Sequence, residues 1–94
     1  MAYSVVYKRS VSRDLRRISK TEVRRLLKHI EDDLPKKADN VPVLKGDFTG
    51  LRKFRIGDYR VIFAIRDEEI IILRIGHKKD VYKKASSMSL ERTP

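Results

Sequence analysis

The chain has no cysteine and no tryptophan, and only four glycines and three prolines in 94 residues. Without thiols there is no disulfide and no thiolate nucleophile, and the redox compartment is left open. Acidic residues are few: 13 Asp and Glu stand against 23 Lys and Arg, a net charge of +10. That balance favours a polyanionic partner, whether nucleic acid, an acidic protein or an anionic membrane surface. Long hydrophobic runs are missing too. Even the runs Val61 to Ile65 and Ile70 to Leu73 are far too short to span a bilayer. The start, Met1-Ala2-Tyr3-Ser4, lacks the charged and apolar regions of a signal peptide. A cytoplasmic protein with no membrane partner is expected.

What is present suffices for one fold. The chain is 40% hydrophobic and 38% charged. At this length a domain buries roughly 60–65% of its unfolded surface, enough for one modest core. A single domain is expected over residues 1–85, with 86–94 as a flexible or partly helical tail.

Tyr3 to Tyr7 is rich in strand formers and alternates weakly, so it reads as a first strand. Val11, Leu15 and Ile18 have the spacing of a short amphipathic helix. Ser19 followed by Glu22 is a capping box that opens a second helix, with Val23, Leu26, Leu27, Ile30 and Leu34 as its stripe. Pro35 is expected to end it, and 35–42 to be a loop. Val43-Leu44 reads as a brief strand, and 46–50 as a turn.

The segment from Lys53 to Phe63 reads as a β-hairpin turning at Gly57-Asp58. The turn pairs Ile56 with Tyr59, Arg55 with Arg60, Phe54 with Val61 and Lys53 with Ile62. Alternation then gives a core face of Phe54, Ile56, Tyr59, Val61, Phe63 and Ile65. The other face carries Lys53, Arg55 and Arg60 beside Ile62 and Ala64. Arg55 opposite Arg60 is a like-charge pair that costs a few tenths of a kcal/mol or more. A bound polyanion accounts for it; a fold alone does not require it. Ile70 to Ile75 is the last strand. A three-residue turn before it is expected, placing Ile71, Leu73 and Ile75 on the core face and Arg74 on the basic face. The order β-α-α-β-β-β points to α+β, with two N-terminal helices packed on one face of an antiparallel sheet.

Three blocks carry a resemblance: Leu44-Lys45-Gly46, then Leu51 to Phe63 with its Arg-Ile-Gly-Asp-Tyr-Arg hairpin, then Ile75-Gly76-His77-Lys78-Lys79-Asp80-Val81-Tyr82. Together, in a basic chain of this length, they resemble the RelE/ParE toxin superfamily, and its RelE branch most closely. The resemblance covers nearly the whole chain. It implies a RelE-like fold and a toxin of a type II toxin–antitoxin module. It further implies entry into the ribosomal A site, cleavage of mRNA without a metal or other cofactor, and restraint by a small antitoxin. Carried onto this chain, the catalytic positions are Lys53, Arg55, Arg60, Lys78 and Tyr82. Accessory RNA-binding candidates are Arg52, Arg74, His77, Lys79 and Lys83. At Lys78 the family usually has arginine; lysine keeps the charge but lacks the bidentate fork.

The residues suit that chemistry independently. No carboxylates paired at a plausible spacing and no histidine pair on one element are found, so a two-histidine or metal mechanism is not indicated. A lysine crowded by cations is a better base than a free one. Arginines hold a phosphate and stabilise its transition state. Two other readings stay open: a gyrase-directed toxin of the ParE kind, and a module that binds RNA or an acidic peptide without chemistry. The partly apolar basic face also suits an acidic antitoxin segment that folds on binding.

Overall fold

A computed structural model describes residues 3–44 and 50–81. Four strands and two helices follow in the expected order: β1 (Ser4–Tyr7), α1 (Arg9–Arg16), α2 (Lys20–Lys37), β2 (Arg52–Ile56), β3 (Tyr59–Arg66) and β4 (Glu69–His77). The fold is α+β. Residues 86–94, with Tyr82 and Lys83, lie outside the described residues.

Local chemistry sets the central hairpin. Gly57 takes a φ of 59°, which glycine adopts without steric cost, and the pairing is as the sequence dictates: Ile56 with Tyr59, Arg55 with Arg60, Phe54 with Val61, Lys53 with Ile62. The next turn differs from expectation. It has two residues, Asp67 and Glu68, because Arg66 pairs with Glu69, and Asp67 itself takes the left-handed φ of 55°. Aspartate tolerates that conformation. Unbroken alternation from this turn would drive Arg74 into the core. A bulge prevents it: Ile62 pairs with Arg74 but Phe63 with Ile72, so Leu73 is the extra residue. Ile70, Ile72 and Ile75 therefore join the main core. Ile71 and Leu73, expected there, belong to a cluster on the opposite face.

β1 lies parallel beside β4, giving the sheet order β1-β4-β3-β2. Where β1 ends, α1 takes its place along the β4 edge. Lys8 N–H donates to the Ile72 carbonyl at 2.9 Å, and Ser10 Oγ to the Leu73 carbonyl at 2.6 Å. Asp14 completes the seam. Its Oδ2 accepts the Ile75 N–H at 2.9 Å, and its Oδ1 pairs with Arg74 Nη2 at 2.7 Å. Val11 from α1 and Leu26, Ile30 and Leu34 from α2 pack on Val61, Phe63 and the β4 isoleucines. Each such burial is worth roughly 1.5–3 kcal/mol.

α2 begins as the capping box predicts, Ser19 Oγ accepting the Glu22 N–H. Its end is a correction. Pro35 lies inside the helix, which runs on to Lys37 and passes into a 3₁₀ turn over Ala38–Asn40. Packing outweighs the proline, since Leu34 and Ala38 are fully buried on either side of it and Ala38 N–H still reaches the Leu34 carbonyl. Val43-Leu44 contributes a single bridge, Val43 to Arg52, in place of a strand.

Candidate nucleic-acid interface

Strand alternation places Lys53, Arg55 and Arg60 on the sheet face away from the helices. That face is only partly open. Leu51, Ile62, Ala64, Leu73 and Val81 bury one another there, with Leu44 and Ile71 beside them. The cations occupy its β2 side, next to this small second core.

Two of them, Lys53 and Arg55, line a cleft of about 420 Å³ together with Lys37, Asn40, Val41 and Pro42. Arg60, directly across from Arg55, folds back over the turn, donating Nη1 to the carbonyls of Gly57 at 2.9 Å and Tyr59 at 3.0 Å. Lys78 reaches the same turn from the end of β4. Its N–H donates to the Asp58 carbonyl at 2.8 Å, and its Nζ stands 3.8 Å from Asp58 Oδ1. Among the described residues no carboxylate pairs with Lys53, Arg55 or Arg60. The structure thus groups four of the five catalytic candidates around the β2–β3 hairpin; Tyr82, the fifth, is not among the described residues.

The accessory candidates scatter. Arg52 pairs with Phe63 on the helix side, and its Nη1 donates to the carbonyls of Ala38, Asp39 and Val41 at 3.3, 3.4 and 2.9 Å. It fastens the 38–41 connection to β2. Arg74 is engaged by Asp14, its side chain only 15% exposed. His77 lies opposite Tyr59 on the helix side, the rings meeting edge-to-face at 6.1 Å. Its Nδ1 accepts the Lys79 N–H at 3.2 Å. His77 and Tyr59 line a separate cleft of about 430 Å³ with Asp14, Arg17 and Asp80, behind the sheet from the cations. Lys79 is exposed in the turn after β4. Arg74, opposite Ile62, keeps the expected basic face but is paired with Asp14, while Arg52 and His77 lie on the helix side, away from the catalytic candidates.

Lys37 and Asn40 were not singled out by the sequence, because the helix was expected to stop at Pro35. Among the described residues no group of three or more His, Cys, Asp or Glu side chains is arranged to hold a metal. No described helix is long and apolar enough to cross a membrane.

Two helices on one face of a sheet ordered β1-β4-β3-β2 make the fold of type II toxin–antitoxin toxins of the RelE/ParE superfamily. The chain belongs to that superfamily: residues 5–82 match the family model of the ParE toxin of the type II toxin–antitoxin system. Solved structures agree. The archaeal RelE–RelB complex from Pyrococcus horikoshii contains a chain 32% identical, with a TM-score of 0.60, covering 83% of this chain and 97% of that one. The toxin–antitoxin complex RelBE2 from Mycobacterium tuberculosis gives 25% identity and a TM-score of 0.77, covering 82% of this chain and 99% of that one. A chain of the chromosomal ParDE system of Pseudomonas aeruginosa shares the fold at 22% identity and a TM-score of 0.57, covering 81% of this chain and 96% of that one. No sequence among the curated proteins matches.

Proposed function

We propose that this toxin is a metal-independent endoribonuclease that cuts mRNA in the ribosomal A site and so halts translation. The observation that carries the reading is the Arg55–Arg60 cross-strand pair, flanked by Lys53 and Lys78, with no carboxylate among the described residues neutralising the arginines. In the reaction a base removes the proton from the RNA 2′-hydroxyl, and the 2′-oxygen attacks the adjacent phosphorus. The bond to the 5′-oxygen then breaks, and that oxygen takes up a proton. A 2′,3′-cyclic phosphate and a 5′-hydroxyl end result. Lys53 serves as the base. Arg55 and Arg60 hold the phosphate and stabilise the charge that grows on it. Lys78 delivers the proton to the leaving oxygen, and Tyr82 orients the 2′-hydroxyl or stacks on a base.

A cognate antitoxin, acidic and folding as it binds, is the partner that restrains it. The RelE–RelB and RelBE2 neighbours are toxin–antitoxin complexes. A second reading, a gyrase inhibitor, is favoured by the match to the ParE toxin family. Primer extension on cellular transcripts after brief expression separates the two. Cuts inside coding frames support the nuclease. Intact messages with gyrase-linked DNA breaks support the alternative. In single-turnover assays on ribosome-bound message, Lys53→Ala and Arg60→Ala should each slow cleavage at least tenfold, about 1.4 kcal/mol of transition-state stabilisation. Parental rates in both variants refute the assignment.

A further inference from the structure

We infer that the cleft at the β2 edge is a second phosphate site, in which Lys37 and Asn40 hold the RNA backbone beside the scissile phosphate. The inference rests on the nuclease reading and extends it. The cleft brings Lys37, at the end of α2, to the same space as Lys53 and Arg55, and among the described residues no carboxylate lines it. A helix C-terminus explains a lysine in its last turn, because the dipole favours cations there. It does not explain convergence with two further cations from β2. Such convergence is unfavourable in the empty protein and becomes favourable around an anion.

The cleft is also built to keep its shape. Arg52 ties its far wall to β2 through three backbone carbonyls. Tyr3 Oη donates to Asp39 Oδ1 at 2.6 Å, and Val41 N–H to the Ala38 carbonyl at 3.3 Å. Lys37 and Asn40 are thereby carried on a fixed connection, and little ordering is left to be done when a phosphate arrives. The donors it adds are one ammonium from α2 and one carboxamide, beside Lys53 and Arg55 of the scissile site. This is the chemistry of a phosphodiester backbone contact, which reads charge and carries no base information.

The test is binding of a short single-stranded RNA, 2′-O-methylated throughout so that it is not cut, measured across a range of salt. Parent, Lys37→Ala, Lys37→Arg, Arg60→Ala and Lys28→Ala are compared. Lys28 is an exposed cation of α2 that lines a different surface depression, with Arg25 and Asp32, so its loss changes net charge equally. Losing one contact to single-stranded RNA lowers the salt slope by about 0.7, or roughly fivefold in affinity at 0.1 M relative to 1 M salt. That change is expected for Lys37→Ala, with recovery in Lys37→Arg and little effect in Lys28→Ala. If Lys37→Ala matches Lys28→Ala while Arg60→Ala weakens binding, the second site is wrong and the nuclease reading stands. If Arg60→Ala is also silent, both fall. Unchanged RNA binding with weakened binding of a poly-glutamate peptide would assign the cleft to an acidic protein and overturn the inference.

Discussion

Asp14 is the side chain on which the seam between α1 and β4 depends. Its carboxylate is 3% exposed as a residue and serves two partners, the Arg74 guanidinium at 2.7 Å and the Ile75 N–H at 2.9 Å. In Asp14→Ala both partners lose it together. Removing one member of a buried, hydrogen-bonded ion pair costs about 3–5 kcal/mol, because the remaining charge stays desolvated. A domain of this size has about 5–15 kcal/mol in total. With roughly 4–8 °C of melting temperature per kcal/mol, the variant should melt at least 12 °C lower. Urea denaturation followed by circular dichroism measures the change, and an unaltered denaturant slope would show that both chains unfold the same way. Asp14→Asn keeps an acceptor for Ile75 but no charge for Arg74, so it should fall between. Replacing the pair by Asp14→Leu with Arg74→Met should recover the ion-pair part of the loss, leaving the cost of the Ile75 N–H without its acceptor, about 1–3 kcal/mol. A loss under about 1 kcal/mol in Asp14→Ala would mean that water reaches the pair in solution, and the argument from burial fails. The double variant also tests Arg74: if it folds and remains fully toxic, Arg74 is a structural residue and not an RNA contact.

Two further outcomes follow from single side chains. Burial, and then the hydrogen bond to Glu31, raise the Tyr7 phenol above the usual tyrosine range. An unfolded tyrosine ionises near ~10. Above that pH the unfolded chain binds fewer protons than the folded one, so this contribution is complete below about pH 9 and fades as pH rises. The urea midpoint of the parent should therefore fall more steeply between about pH 9 and 11 than that of Tyr7→Phe; equal slopes would refute the assignment. At the start of α2, Ser19→Ala removes the acceptor of the Glu22 N–H and should cost about 1 kcal/mol by the same measurement. No change would mean that the first turn is capped by water.

What was legible in the sequence was local. Gly57-Asp58 and the alternation around it set the hairpin register because turn type and pairing are decided within a few residues. The capping box at Ser19 worked for the same reason. The failures came from phase and from distant partners. Whether residues 71–77 point forward or back depends on the length of the turn at Asp67 and on a bulge at Leu73, and neither is encoded near His77. The same bulge carries His77 to the helix side. Arg52 is one step out of phase with Lys53, so alternation already placed it on the other face; its charge suggested RNA, while its carbonyl partners lie up to fourteen residues away in sequence. Asp14 did leave a trace. It stands three residues after Val11 and four before Ile18, on the apolar stripe of α1, where an acid must find a buried partner.

The arginines of this chain differ in what accepts their protons, and the difference follows from what each must do. Arg74 is met by a carboxylate, so its charge is cancelled and the residue can be enclosed between α1 and β4. Arg60 is met by two backbone carbonyls of its own turn. A carbonyl dipole fixes the direction of a guanidinium without supplying a full negative charge, and a guanidinium has five N–H donors to offer. Arg60 is thus held in place with its charge intact and donors left over. A carboxylate in the same position would compete directly with a phosphate and would have to be displaced before any RNA could bind. The like-charge strain between Arg55 and Arg60 therefore persists in the free protein and is relieved when an anion enters. It follows that an anion able to bridge the two arginines should stabilise the fold. Sulfate at moderate concentration should raise the melting temperature of the parent more than that of Arg55→Ala, and equal shifts would show that the strain is not seated at this pair.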